Sequence, residues 1–128
     1  MGAGLPKPLI WIGSSRDDLK QFPEAVRAVM GHALYMAQCG LKHETAKSLK
    51  GFGGAGVIEI VEVFFGEAYR TVYTVRLPGR LYALHAFQKK SKHGIATPKH
   101  DLDLIRSRLK WAEKLHAEWK RILRGEPR

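Results

Sequence analysis

The sequence predicts an α+β fold, with an N-terminal strand and helices packed on an antiparallel β-meander and a C-terminal amphipathic helix. Three observations predict it. Between Val57 and Phe87, three runs rich in Val, Ile, Tyr and Phe are separated only by short, turn-prone breaks. Ahead of them, apolar residues recur at three- and four-residue spacing behind a pair of serines. After them, a second such stripe follows Thr97-Pro98. With 128 residues the chain suits one domain of ordinary size. We place that domain at residues 9–124, between a flexible N-terminal arm over 1–8 and a frayed end over 125–128.

The elements follow in chain order. Leu9-Ile-Trp-Ile12 reads as a short buried strand closed by Gly13. Ser14 and Ser15 offer helix N-caps, and Asp17 and Asp18 sit in the first turn, where the helix dipole favours negative charge. Leu19, Phe22, Val26, Val29, Ala33 and Ala37 then share one helical face, with a kink or restart expected at Pro23 and a stop at Gly40. A shorter helical segment is expected around His43 to Leu49. Gly51-Phe-Gly-Gly-Ala-Gly56 lacks the Lys-Ser/Thr of a P-loop and precedes a strand, so it reads as a flexible connector. The strand runs are Val57–Phe65, Tyr69–Leu77 and Leu81–Phe87. In the middle run Arg70, Val72, Thr74 and Arg76 alternate with Tyr69, Thr71, Tyr73, Val75 and Leu77, giving a core-like face and a face with two arginines. Thr97 as N-cap and Pro98 at the first position open the last helix. Its stripe is Leu102, Ile105, Leu109, Ala112, Leu115, Trp119 and Ile122.

Composition bounds the partners. The 22 Lys and Arg against 12 Asp and Glu give a net charge of +10. A hydrophobic content of 45% excludes a disordered basic tail. No apolar run approaches the roughly 18 residues of a membrane span, which predicts a soluble chain with no membrane-spanning segment. The excess charge points to a polyanion: nucleic acid, an anionic membrane surface or an acidic protein. It is also uneven, because Lys89 to Arg128 holds 12 basic and 5 acidic residues. Cys39 is the only cysteine, which excludes an internal disulfide and a Cys-rich zinc site and fits a reducing cytoplasm. The first residues lack the basic and apolar regions of a secretory signal, so a cytoplasmic location is expected.

The residues that carry chemistry are polar and basic. The six histidines form no His-Glu-x-x-His or comparable pair, and no Gly-x-Ser-x-Gly turn is present, so neither a metal site nor a serine nucleophile is predicted. No cofactor is expected. What remains is Arg70, Tyr73, His85, Lys89, Lys90 and Lys92, from two neighbouring strands and the segment leaving the second. Antiparallel strands lie about 4.8 Å apart, so these groups are within reach of one surface. Such a set suits metal-free cleavage of RNA by the ribose 2′-OH. Arginine offers a permanently charged fork to the phosphoryl oxygens. Histidine, or a lysine crowded by cations, moves protons near neutrality. Tyrosine stacks on a base or positions a phosphate. Arg76, Lys92 and Lys99 are candidates for further RNA contact. Plainer readings stay open beside these. Arg70 also fits an ion pair with Glu59 or Glu62 across the sheet, His85 a hydrogen-bonded core residue, and Lys89–Lys92 a solvated turn.

Tyr69-Arg-Thr-Val-Tyr73, Leu84-His-Ala-Phe-Gln-Lys-Lys90 and Thr97-Pro-Lys99 together resemble the RelE/HigB-like toxins, specifically their phage-derived Gp49-like branch. The likeness runs from Leu9 to about Leu115 and includes Pro23-Glu-Ala-Val-Arg27 and Ala46-Lys-Ser-Leu-Lys-Gly51. The resemblance implies a RelE-like fold and the toxin of a type II toxin–antitoxin pair. It further implies metal-independent cleavage of mRNA on the ribosome, contact with ribosomal RNA, and neutralisation by a helix-turn-helix antitoxin. By motif, Arg70 matches the strand arginine at the scissile phosphate, and Lys89 or Lys90 the basic position after the last strand. Tyr73 and His85 lie in matching motifs. Where some relatives carry catalytic lysines on the strand before the arginine, Val57–Phe65 carries Glu59 and Glu62 instead. On this reading Arg70→Ala abolishes growth inhibition and leaves the fold nearly intact. The alternative is a non-catalytic basic module of phage origin that binds nucleic acid or a partner, in which charge acts diffusely.

Overall fold

The structure is a computed structural model that describes residues 5–54, 56–89 and 96–127. Lys90 and Lys92 lie outside the described residues, as do the first four residues of the expected arm.

Among the described residues eight elements follow one another: β1 (Leu9–Trp11), α1 (Ser15–Lys20), α2 (Glu24–Gln38), β2 (Ala46–Ser48), β3 (Val57–Phe64), β4 (Glu67–Thr74), β5 (Leu81–Lys89) and α3 (Lys99–Leu123). The five strands form one sheet in the order β1-β5-β4-β3-β2. The meander β3-β4-β5 is antiparallel throughout, as expected. β1 joins its β5 edge in parallel, and β2 joins its β3 edge antiparallel.

Pro23 explains the split between α1 and α2. It has no N–H to offer the ladder, and it stands at the N-cap of α2 as a restart. At the other end Gly40 adopts φ +83°, and the Leu41 and Gly40 N–H groups reach back to the Met36 and Ala37 carbonyls, a Schellman ending. The segment from His43 to Leu49 is not helical. Three of its residues pair with Ile58–Ile60 of β3 as β2, so pairing at an open sheet edge overrides the local helical pattern. The β3–β4 turn falls on Phe65 and Gly66, both at positive φ as a type I′ hairpin needs, rather than on Gly66–Ala68.

The sheet is covered on both sides. On one, Leu19, Phe22, Val26, Met30 and Ala33 of α1 and its neighbours pack on Ile58, Ile60, Tyr69, Tyr73 and Leu81. On the other, Ile105, Leu109 and Ala112 of α3 pack on Val57, Val72, Tyr82 and Leu84. The face expected to carry two arginines is therefore a second core face along most of its length. One loop expectation also changes. The glycine loop is anchored, because Phe52 is buried in the second core, its carbonyl accepts from Arg76, and Arg106 donates to the Gly51 carbonyl. Lys7 of the arm exchanges hydrogen bonds with Gln38.

Candidate functional site

Strand register sets the site. On the α3 side of the sheet, Lys47, Glu59, Val72 and His85 stand in one cross-strand row. The next row is Val61, Arg70 and Phe87, and the one after is Val63, Ala68 and Lys89. Arg70 is thus flanked diagonally by His85 and Lys89 on β5 and by Glu59 on β3. His85, Phe87 and Lys89 share that face by plain two-residue alternation along β5. The register between β4 and β5 slips after Val72, so that Val72 faces His85 while Tyr73 faces Ala83. The extra residue is Leu84, and the bulge turns both Leu84 and His85 towards α3.

Arg70 is only 4% exposed. Its Nη1 donates to Glu59 Oε1 at 2.9 Å and lies 3.4 Å from Thr97 Oγ1. The Thr97 hydroxyl donates to Glu59 Oε2 at 2.7 Å, so both carboxylate oxygens are engaged. The plainer expectation for Arg70, an ion pair with Glu59 across the sheet, is what forms. Thr97 is accordingly not the N-cap of α3. Pro98 takes that position, with no side-chain capping bond, because the threonine hydroxyl is drawn to Glu59. Lys89 Nζ donates to the Ala96 carbonyl at 2.6 Å, so two neighbouring residues of the approach to α3 are tied to this cluster. Burial lowers the Lys89 pKa, with Arg70 adding to the effect and Glu59 opposing it.

His85 is a hydrogen-bonded, nearly buried residue, as its plainer reading had it. Its Nε2 lies 2.8 Å from Asp101 Oδ1 in the first turn of α3, and its ring stacks on Phe87 with centroids 4.6 Å apart. Burial lowers its pKa from the ordinary 6.5; the Asp101 bond and charge act against this, and the Arg108 charge acts with it. A carboxylate only accepts, so the neutral ring carries its proton on Nε2. Nδ1 then presents a bare lone pair, buried and without a hydrogen-bond partner among the described residues.

The other expected residues among those described do not join the cluster. Tyr73 lies on the opposite face of the sheet, in the core beneath α2, where burial pushes its pKa up to about 12. The reason is the two-residue period: Tyr73 is an odd number of positions from Arg70. Arg76 lies beyond the end of β4 and binds the Phe52 carbonyl, about 20 Å along the chain from Arg70 at strand spacing. Lys99 is exposed and pairs with Asp103 at 2.9 Å. Conversely, Thr97 and Asp101 were not picked out as site side chains from the sequence, and Glu59 was seen only as an ion-pair partner. The usable signal was their spacing to Arg70 and His85 once the register is known. Among the described residues, no group of three or more His, Cys, Asp or Glu side chains is arranged to hold a metal ion.

The model of a protein family described as phage derived protein Gp49-like (DUF891) matches residues 17–110. The chain belongs to this family. It is a RelE-like toxin family, as the motifs around Arg70 and His85 implied. Within the Gp49-like match lie every element from α2 to β5, the whole Arg70 cluster, and α3 as far as Lys110. A solved structure of the toxin–antitoxin complex RelBE2 from Mycobacterium tuberculosis is similar at 16% identity and a TM-score of 0.47, over 66% of this chain and 100% of that one. The sequence has no match among curated proteins. None of the helices among the described residues is long and apolar enough to cross a membrane.

Proposed function

We propose that this Gp49-like chain is the toxin of a type II toxin–antitoxin pair and an endoribonuclease that cleaves mRNA on the ribosome without a metal. In the same reading it acts in the cytoplasm, grips ribosomal RNA through its basic last third, and is neutralised by a helix-turn-helix antitoxin. The observation that carries the proposal is the flanking of Arg70 by His85 and Lys89 on one face of the sheet.

That layout suits in-line displacement. His85 and Lys89 are four residues apart on β5, about 13 Å between Cα atoms, on either side of Arg70. In-line attack needs the entering and leaving oxygens on opposite sides of the phosphorus. Once the incoming strand uncovers its buried Nδ1, neutral His85 takes the proton of the ribose 2′-OH, and the 2′-oxygen attacks the phosphorus. The Arg70 guanidinium stabilises the charge on the non-bridging oxygens. Lys89, made more acidic by burial and by Arg70, gives its proton to the departing 5′-oxygen. The products are a 2′,3′-cyclic phosphate and a 5′-hydroxyl. Arg70 reaches the phosphate when that phosphate displaces Thr97 and Glu59 from the guanidinium, an exchange of one charge-assisted contact for another.

Arg70→Lys tests this, because lysine keeps a cation near Glu59 but loses the planar fork. The expected result is cleavage at least about 100-fold slower, the usual cost of removing one preorganised donor to a transition-state oxyanion. The non-catalytic reading is favoured by one observation, the burial of Arg70 against Glu59, which suits an anchor between sheet and α3. It expects intact RNA with the wild-type protein.

A further inference from the structure

The edge strand β2 and the start of α3 leave between them a cavity of about 250 Å³, lined by Lys47, Leu49, Lys50, Glu59, Thr97 and Leu102 among others. It adjoins the Arg70 cluster through Glu59 and Thr97, but nothing in the cleavage scheme uses it. We propose that this cavity seats one nucleobase of single-stranded RNA and selects a base bearing an exocyclic amine over uracil; the proposal rests on the RNA-directed reading above and gives that site its sequence preference.

Size, lining and charge each support this occupant. The volume falls below the roughly 300 Å³ at which pockets begin to take drug-sized ligands, so it suits one ring system and not a whole nucleotide. Leu49 and Leu102 supply apolar walls for the flat faces of a base. Ser48, Thr97 and Glu59 bring hydrogen-bonding groups to the wall, and the Glu59 carboxylate is an acceptor held by Thr97 and, until a phosphate takes the guanidinium, by Arg70. A carboxylate only accepts, and each of its oxygens keeps a second lone pair beyond the bond already made. Cytosine would present its N4 amine there, as carboxylates commonly bind it, whereas uracil would present the O4 carbonyl and oppose acceptor to acceptor. Lys47 stands directly opposite Glu59 in register and is exposed, as is Lys50, so two cations rim the cavity where the flanking phosphates of the same strand would run.

The test is a fluorescence-anisotropy titration of the full chain with 2′-O-methyl pentacytidylate and pentauridylate, which cannot be cleaved through a 2′-OH. Both carry the same backbone charge, so the sequence-independent phosphate term is common to them. Cytidylate is expected to bind about tenfold more tightly. Leu102→Phe, which fills the cavity from the α3 side, and Ala96→Leu, which fills it from the approach to α3, should each reduce that ratio to near one while the circular dichroism spectrum is unchanged. Equal binding of the two oligomers by the wild type overturns the proposal. So does a preference that survives in both filled variants, since it would then come from stacking in the free RNA. Unmodified pentacytidylate, assayed in parallel for a cyclic-phosphate end, reports separately on cleavage. A cavity-dependent preference without cleavage removes the nuclease reading and leaves the base site. Cleavage without such a preference does the reverse.

Discussion

Arg70 and Glu59 form an ion pair in which the two side chains are 5% and 3% exposed, and this changes what a mutation there measures. Arg70→Ala would leave a buried carboxylate with no cation, which typically costs about 3–5 kcal/mol. That variant is therefore expected to lose stability as well as activity, contrary to the reading from sequence; urea unfolding of the purified protein checks it. Replacing both partners, as Arg70→Met with Glu59→Leu, should recover most of the loss, because a buried pair is often no better than apolar residues of similar volume. The histidines set a pH dependence. Burial lowers the pKa of both His85 and His116 from 6.5, the former within the site and the latter against Tyr82 near the far end of α3. Below 6.5 the unfolded chain therefore binds more protons than the folded one, and stability falls as pH drops. The melting temperature should decline from pH 7 to pH 5.5, and His116→Asn, which retains a polar group facing Tyr82, should flatten that decline. The acid limb of the cleavage rate should likewise lie below pH 6.5, where His85 becomes cationic. The sequence made Arg70 legible because an arginine inside an apolar strand is conspicuous. Tyr73 shares the strand of Arg70, although two-residue alternation already sets it on the other face. The four-residue spacing of His85 and Lys89 already sets them on one face, whereas the one-residue bulge that also turns Leu84 towards α3 has no local signal between Leu81 and Lys89.

Helices and strands were legible where a long apolar period meets clear boundaries, as in α2 and in the three strands of the meander. The exception within α3 is informative. Its expected stripe continued through Leu115 and Ile122, but these are 40% and 52% exposed, and the buried set is Ile105, Leu109, Ala112 and His116. The sheet ends before the helix does, so the last turns have less to pack against, and there Trp119 instead lies under Arg80 and against Gly79. Ile105→Ala, at a fully buried position, should cost about 2–5 kcal/mol. Ile122→Ala should stay within about 0.5 kcal/mol. A common urea titration of the two variants separates the observed stripe from the expected one. β2 was illegible for a different reason: a three-residue edge strand owes its form to the neighbour it pairs with, and that neighbour begins nine residues later in the chain. In the hairpin, Gly66 at φ +79° is the position a side chain strains, so Gly66→Ala should destabilise by about 1–2 kcal/mol.

Across the whole molecule, the sheet is a middle layer whose α2 side is core and whose α3 side changes character along its length. Near Val57, Tyr82 and Leu84 that side is apolar, while around Glu59, Arg70, His85 and Lys89 it is ionic. The +10 charge does not act as one block. Arg70, Arg76 and Arg108 are committed to bonds with Glu59, Phe52 and Leu84 inside the fold, and Arg106 bonds Gly51 at the surface. Lys110, Lys114 and Lys120 on α3 are exposed and remain the better candidates for phosphate contact, which would make RNA affinity fall as salt rises. The central claim is that Arg70 supplies charge to a scissile phosphate rather than only joining the sheet to α3. It is tested most directly by adding the purified wild-type protein and its Arg70→Lys variant to translating ribosomes in the presence of a chelator that spares the magnesium of the ribosome, and mapping mRNA 5′ ends by primer extension. The account predicts cuts in register with the codon in the ribosomal A site for the wild type, and their loss by about 100-fold in a variant whose melting temperature shows it folded. Intact mRNA with the wild type, or undiminished cutting by the folded variant, would contradict it.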